Sequence, residues 1–132
     1  MLLLDTVVLL WMIRGDRRFG ARAHRKVDEA IVAGDAAVSA ISFWEMAMLV
    51  RKGRVKLDLA VEALRRYLLY HGMNEIPVDG DIALRAGLLT DLHGDPADRI
   101  IVATALEGHR LVTADRLLLD WPGQIQRLRA TD

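Results

Sequence analysis

Apolar residues in this chain fall into short unbroken runs, separated by longer stretches in which they recur every three or four positions. The first run, Leu2-Leu3-Leu4, stops at Asp5. Without polar alternation it suits a strand buried on both faces of a parallel sheet, and the apolar group from Val7 to Ile13 suits a helix directly after it. Beyond the loop Arg14 to Gly20, a helix is predicted from about Ala21 to Ala33, striped by Ala23, Val27, Ala30 and Ile31 and ended by Gly34. Ala36-Ala37-Val38-Ser39 reads as a second buried strand. Ser42 followed three residues later by Glu45 forms a capping-box pattern, so the next helix opens there and runs to about Lys52, before Gly53.

In the second half, Asp58 is expected to cap a helix lasting to about His71, with Ala60, Leu64 and Leu68 inward and Arg65 and Arg66 outward. Asn74 to Val78 reads as a strand that Pro77 places near an edge. A helix from roughly Asp81 to Leu89 and a polar loop from Thr90 to Gly94 follow. Asp95-Pro96-Ala97-Asp98 then reads as an N-cap, a proline at the first helical position and an acid in the first turn. The helix it starts, reaching Glu107, is apolar nearly all round and should be deeply buried. Leu111-Val112-Thr113 is another short strand, Ala114-Asp115-Arg116 begins a last helix ending near Trp121-Pro122-Gly123, and Ile125 to Leu128 adds a final strand. Strands alternating with helices at this rhythm predict an α/β sandwich with a mainly parallel sheet.

At 132 residues the chain is expected to be a single domain over positions 1–132. The absence of cysteine excludes disulfides and thiolate metal sites. Net charge is zero, so a nucleic-acid partner would have to be held by local basic clusters. One lies between Arg14 and Lys26, where six Arg or Lys residues accompany the single acid Asp16; a smaller one is Arg51, Lys52, Arg54 and Lys56. Both also read as solvated helix faces and loops. No apolar stretch approaches the roughly 18 residues of a membrane span. The apolar start lacks a basic n-region and is broken by Asp5, so it reads as core, and the protein as cytoplasmic.

Four acids occupy equivalent places: Asp5 after the first strand, Glu45 after the second, Asp98 in the first turn of the most apolar helix, and Asp115 after a later strand. Each could be a local helix cap. Strand ends of a parallel sheet share one rim, however, so these side chains could also converge there. Converging carboxylates repel and call for a compensating cation. Oxygen donors suit a hard ion, Mg²⁺ or Mn²⁺, which can polarise a phosphoryl oxygen and acidify water, the equipment of phosphodiester hydrolysis.

Four blocks in order carry a family resemblance: Leu3-Leu4-Asp5-Thr6 with Leu9-Leu10-Trp11; Ser39-Ala40-Ile41-Ser42 with Trp44-Glu45; Asp95-Pro96-Ala97-Asp98-Arg99 through Ala105; and Leu111-Val112-Thr113-Ala114-Asp115. Over essentially the whole chain this resembles the PIN domain, and more closely the VapC toxins of toxin-antitoxin operons. The resemblance implies a three-layer α/β/α fold with the first strand central, and a Mg²⁺- or Mn²⁺-dependent ribonuclease. Its acidic quartet falls on Asp5, Glu45, Asp98 and Asp115, with Asp5 and Asp98 as metal ligands and Thr113 and Thr6 as supporting hydroxyls. It also implies an RNA substrate, a homodimer, and a cognate antitoxin whose tail covers the acidic groove. One departure is Val7, where many close members carry His; it bears on subgroup and substrate contacts more than on hydrolysis.

Other readings stand beside this one. A housekeeping ribonuclease would share the same domain. A non-catalytic module binding an antitoxin or itself would use the acids as caps. An aspartyl-phosphate domain would need a second Asp where Val7 stands, or a Lys on a late strand, and no Lys follows Lys56. His24, His71, His93 and His109 share no spacing and read as surface or loop residues, not ligands. Trp11, Trp44 and Trp121 read as core or dimer-interface aromatics.

Overall fold

A computed structural model describes residues 1–132. Five parallel strands form one sheet in the order β3-β2-β1-β4-β5. They are β1 (Leu2–Leu4), β2 (Ala36–Ser39), β3 (Asn74–Ile76), β4 (Arg110–Thr113) and β5 (Gln126–Arg129). The helices are α1 (Thr6–Arg14), α2 (Ala21–Val32), α3 (Ala40–Arg51), α4 (Val61–Tyr70), α5 (Gly80–Leu88), α6 (Pro96–Ala105) and α7 (Arg116–Asp120).

The unbroken Leu run forms the central strand because both its faces are covered. Leu4, with Val38, Val112 and Leu128, packs under α1 to α4 through Val8, Val27, Met46 and Leu64. Leu3, with Ala37 and Leu111, packs under α6 and α7 through Ile101, Val102 and Leu118. Helix α5 is held outside α6, with Ile82 and Ala86 against Ala103. The result is the three-layer α/β/α arrangement, with the proline-flanked β3 at one edge.

Two helix starts differ from the sequence reading. Helix α3 begins at Ala40, and its cap is Ser39, whose side chain accepts from the Ile41 N–H; Ser42 lies inside the helix, and its capping box with Glu45 does not form. Helix α4 begins at Val61 behind Ala60 with no side-chain cap, so Asp58 is not its N-cap.

The chain first builds β1, β2 and β3 in one direction and then returns to the other side of β1 to lay down β4 and β5. The connections therefore diverge between β1 and β4. In open parallel sheets that point, outside the carboxyl ends of the strands, is where ligands bind. Leu4 pairs with Val38 and Val112, so the next row of the sheet sets Asp5 beside Ser39 and Thr113 at this rim.

Candidate functional site

Asp5 stands where β1 turns into α1. One oxygen, Oδ1, accepts from the Thr6 N–H at 2.8 Å as the N-cap of α1, and Oδ2 accepts from the Thr113 hydroxyl at 2.7 Å. The carboxyl is 4% exposed. Burial pushes it from its ordinary 3.8 up to about 7; the Thr113 hydroxyl opposes this, and the charges of Asp98 and Glu45 add to it.

Glu45 comes from the second turn of α3. Its Oε1 accepts from the Thr6 hydroxyl, which also lies 2.8 Å from that of Ser42, so the misread capping serine is a buried member of this polar cluster. Burial raises the Glu45 carboxyl, the Thr6 hydroxyl opposes the rise, and Asp98 and Asp95 add to it. Asp98 is raised in the same way: burial is the main cause, His93 opposes, and Asp95 and Asp115 add. Asp115 is the N-cap of α7, accepting from the Leu117 N–H at 2.9 Å, and its own N–H donates to the Thr113 hydroxyl at 3.1 Å. Thr113 thus ties Asp5 to the Asp115 backbone. The four acids singled out in the sequence come together on one rim, each within electrostatic reach of another.

Capping and clustering turn out to be compatible. Asp5 and Asp115 do both, whereas Glu45 and Asp98 make no cap at all; Asp95 is the N-cap of α6, accepting from the Ala97 and Asp98 N–H groups. Among the histidines, which the sequence reads as surface or loop residues, His93 does lie in a loop but reaches the site. His93 Nε2 lies 2.8 Å from Asp98 Oδ2, and His93, Asp95 and Asp98 place one ligand atom each within 4.8 Å of one another. The contact joins the second residue before the Asp95 cap to the third residue of α6, a reach across the helix start that no sequence spacing rule singles out.

The donor set fits a hard divalent cation. Each Asp5 oxygen is engaged once and retains a lone pair, Asp98 Oδ1 is free, and three neighbouring carboxyls are held up by burial and by one another, a condition that a cation would relieve.

Part of the first basic cluster reaches this rim. The Gly20 N–H donates to the Ala130 carbonyl at 2.9 Å, and Ala130 in turn donates to the Thr113 carbonyl, so the start of α2, with Arg17 and Arg22 on either side of Gly20, sits at the carboxyl end of the sheet. Arg18 is taken up by Asp16 at 2.6 Å and lies 5.0 Å over the Trp11 ring. The second basic group begins at the far end of α3, about 18 Å along the helix from its start at the rim. A concavity of about 600 Å³ is also elsewhere: an apolar groove between α1 and α4 lined by Met12, Ile13, Leu57, Leu59, Leu64 and Tyr67. No helix is long and apolar enough to cross a membrane.

Known proteins share this architecture. Ribonuclease VapC22 of Mycobacterium tuberculosis (strain ATCC 25618 / H37Rv) is 36% identical over 118 residues, 88% of each chain. Among solved structures, VapBC2 from Rickettsia felis bound to a promoter DNA fragment superposes with a TM-score of 0.68 at 18% identity, covering 95% of this chain and 96% of that one. A toxin-antitoxin complex from Klebsiella pneumoniae gives 0.64 at 24% identity, covering 98% of both chains. The PIN domain family model matches residues 2–121. With that match over nearly its whole length, and the acids of its sheet rim gathered on the fold those structures share, the chain belongs to the PIN domain family.

Proposed function

We propose that this protein is a Mg²⁺- or Mn²⁺-dependent endoribonuclease, the toxin of a toxin-antitoxin pair, that hydrolyses RNA phosphodiesters at Asp5, Glu45, Asp98 and Asp115. The observation that carries the reading is the gathering of carboxyls at the switch point of the sheet, with Asp5, Glu45 and Asp98 each raised by burial and by neighbouring acids. Such an arrangement is costly without a cation and is of use to a hydrolase with one. The VapC22 ribonuclease supports the substrate class.

In this reading Asp5 and Asp98 hold the ion, which when bound would polarise a phosphoryl oxygen and make water more acidic. Thr113 fixes the Asp5 carboxylate from one side and the Thr6 N–H from the other. Glu45 keeps one oxygen on the Thr6 hydroxyl and turns the other to the attacking water as proton acceptor. Asp115, fixed by the Leu117 N–H and Thr113, orients that water from the β4 side. Arg17 and Arg22 contact flanking phosphates.

An antitoxin is the partner we assign, since structural neighbours are toxin-antitoxin complexes, and the groove beside α1 offers it an apolar face. A homodimer is supported by Leu84 and Leu88, 64% and 70% exposed and four residues apart on α5.

The test is RNA cleavage by the antitoxin-free protein with Mg²⁺, with EDTA, and by Asp98→Asn. Cleavage is expected only in the first case, with the variant's far-UV spectrum and unfolding midpoint remaining those of a folded protein. An Asp98→Asn protein that cuts as well as wild type would sink the proposal.

A further inference from the structure

The loop between α5 and α6 is held in an unusual way. Residues Thr90 to Gly94 make no backbone-to-backbone hydrogen bonds, and Asp91 adopts a left-handed conformation at φ 60°. Side chains hold the loop instead. The Trp121 indole N–H donates to the Thr90 carbonyl at 2.9 Å. The Arg99 guanidinium donates to the carbonyls of Leu89, Leu92 and His93 at 2.7, 2.9 and 3.3 Å, and to those of Ala86 and Gly87 at the end of α5 at 2.9 and 3.4 Å. One planar fork with five N–H groups thus fixes the loop's path, which a lysine ammonium cannot reproduce.

What the loop carries is His93. The first-turn N–H groups of α6 are taken by Asp95, so the Asp98 carboxylate is not tied to its own helix, and its only side-chain partner is His93. With Asp98 ionised the carboxylate can only accept, so the His93 tautomer that makes this contact carries its proton on Nε2. Nδ1 is buried and has no partner, which leaves the ring a single role as donor to Oδ2. Oδ1 has no hydrogen-bond partner.

We propose that His93 and Arg99 are positioning residues for the cation site: His93 sets the rotamer of the Asp98 carboxylate, and Arg99 holds the loop that presents His93. This rests on the metal-site reading above and deepens it by adding two residues outside the acidic quartet. Hydrogen-bond partners of ligating groups orient them, and losing one lowers metal affinity about 10- to 100-fold.

Two measurements on the full chain test this. In metal-free protein, NMR should show the His93 Nε2 proton as a protected downfield resonance in wild type, absent from Asp98→Ala and from Arg99→Lys. Calorimetry with Mn²⁺ should show affinity lowered about ten-fold or more in His93→Phe, which keeps the bulk and loses the donor, and recovered to within about three-fold in His93→Gln. Because Arg99 acts through His93, Arg99→Lys should weaken binding alone but add nothing in the His93→Phe background. His93→Phe binding Mn²⁺ like wild type overturns the role of His93. His93→Gln as weak as His93→Phe makes the ring a ligand instead of an orienter, and additive losses in the double variant reduce Arg99 to a structural part. Should wild type bind no Mn²⁺, the metal-site reading fails by itself. The NMR comparison then still decides whether Arg99 holds His93 on Asp98: loss of the resonance in Arg99→Lys supports it and persistence overturns it.

Discussion

Asp5→Asn should stabilise the metal-free protein while removing its capacity for a cation. The wild-type carboxyl is 4% exposed and is held up from 3.8 to about 7. At about 1.4 kcal/mol for each pH unit, ionising it in the folded state costs about 4 kcal/mol. The sign follows from proton counting. Between pH 3.8 and about 7 the native state keeps a proton that the unfolded chain has released, so wild-type stability falls as pH rises through this window and levels off above it. Asparagine stays neutral throughout, and the value of about 7 already contains the bond from Thr113 to the carboxylate. The gain at pH 8 is then about 4 kcal/mol, or roughly 15 °C in Tm for a chain of this size. From pH 5 to pH 8 the variant's advantage should grow by about 3 kcal/mol. Urea unfolding of both proteins in EDTA at the two pH values measures it. Mn²⁺ should narrow the gap at pH 8 by more than half, since a site at 100 times its Kd adds about 2.7 kcal/mol to wild type alone. An advantage that is the same at pH 5 and pH 8 would refute the reasoning, because it would mean that the Asp5 carboxyl is not held up by burial.

Two further substitutions probe the surroundings. Thr113→Val removes the hydroxyl that opposes the burial of Asp5, so the carboxyl rises above about 7 and Mn²⁺ affinity drops at pH 7 and returns as pH is raised; unchanged affinity at pH 7 in calorimetry would contradict this. In Gly20→Ala the new Cβ would lie 2.2 Å from the Asp132 backbone carbon, forcing residues 130–132 off the start of α2 and breaking the Gly20 and Arg22 N–H bonds. The expected cost is about 2 kcal/mol by urea unfolding, and a variant as stable as wild type would show that this contact is dispensable.

The parts legible in the sequence were those that depend on neighbours along the chain. Leu2–Leu4 and Ala36–Ser39 announce buried strands because both their faces are covered, and Asp95-Pro96 announces the start of α6 because cap and proline act locally. The start of α3 was misread because Ser39 and Ser42 are both plausible caps. Glu45, which appears to complete a box with Ser42, is instead drawn to Thr6 on α1, a contact 39 residues distant in sequence. The four acids were found from their places after strands and in a first turn, and the shared rim brought them together. His93 reads from the sequence as a loop residue, which it is, but its approach to Asp98 depends on how Arg99 folds that loop against the end of α5, and no residue spacing encodes that path.

The three tryptophans divide unevenly between interior and surface. Trp11 and Trp121 are each 8% exposed, whereas Trp44, the residue before Glu45, is 54% exposed. The protein therefore carries two optical channels. Emission from the buried pair follows unfolding, and Trp121, whose indole is anchored on Thr90, also follows the loop that bears His93. Trp44 is open to aqueous quenchers such as iodide until something covers the α3 surface beside Glu45. Shielding of that one fluorophore, with the buried pair unchanged, reports a macromolecule seated next to the acids without any label.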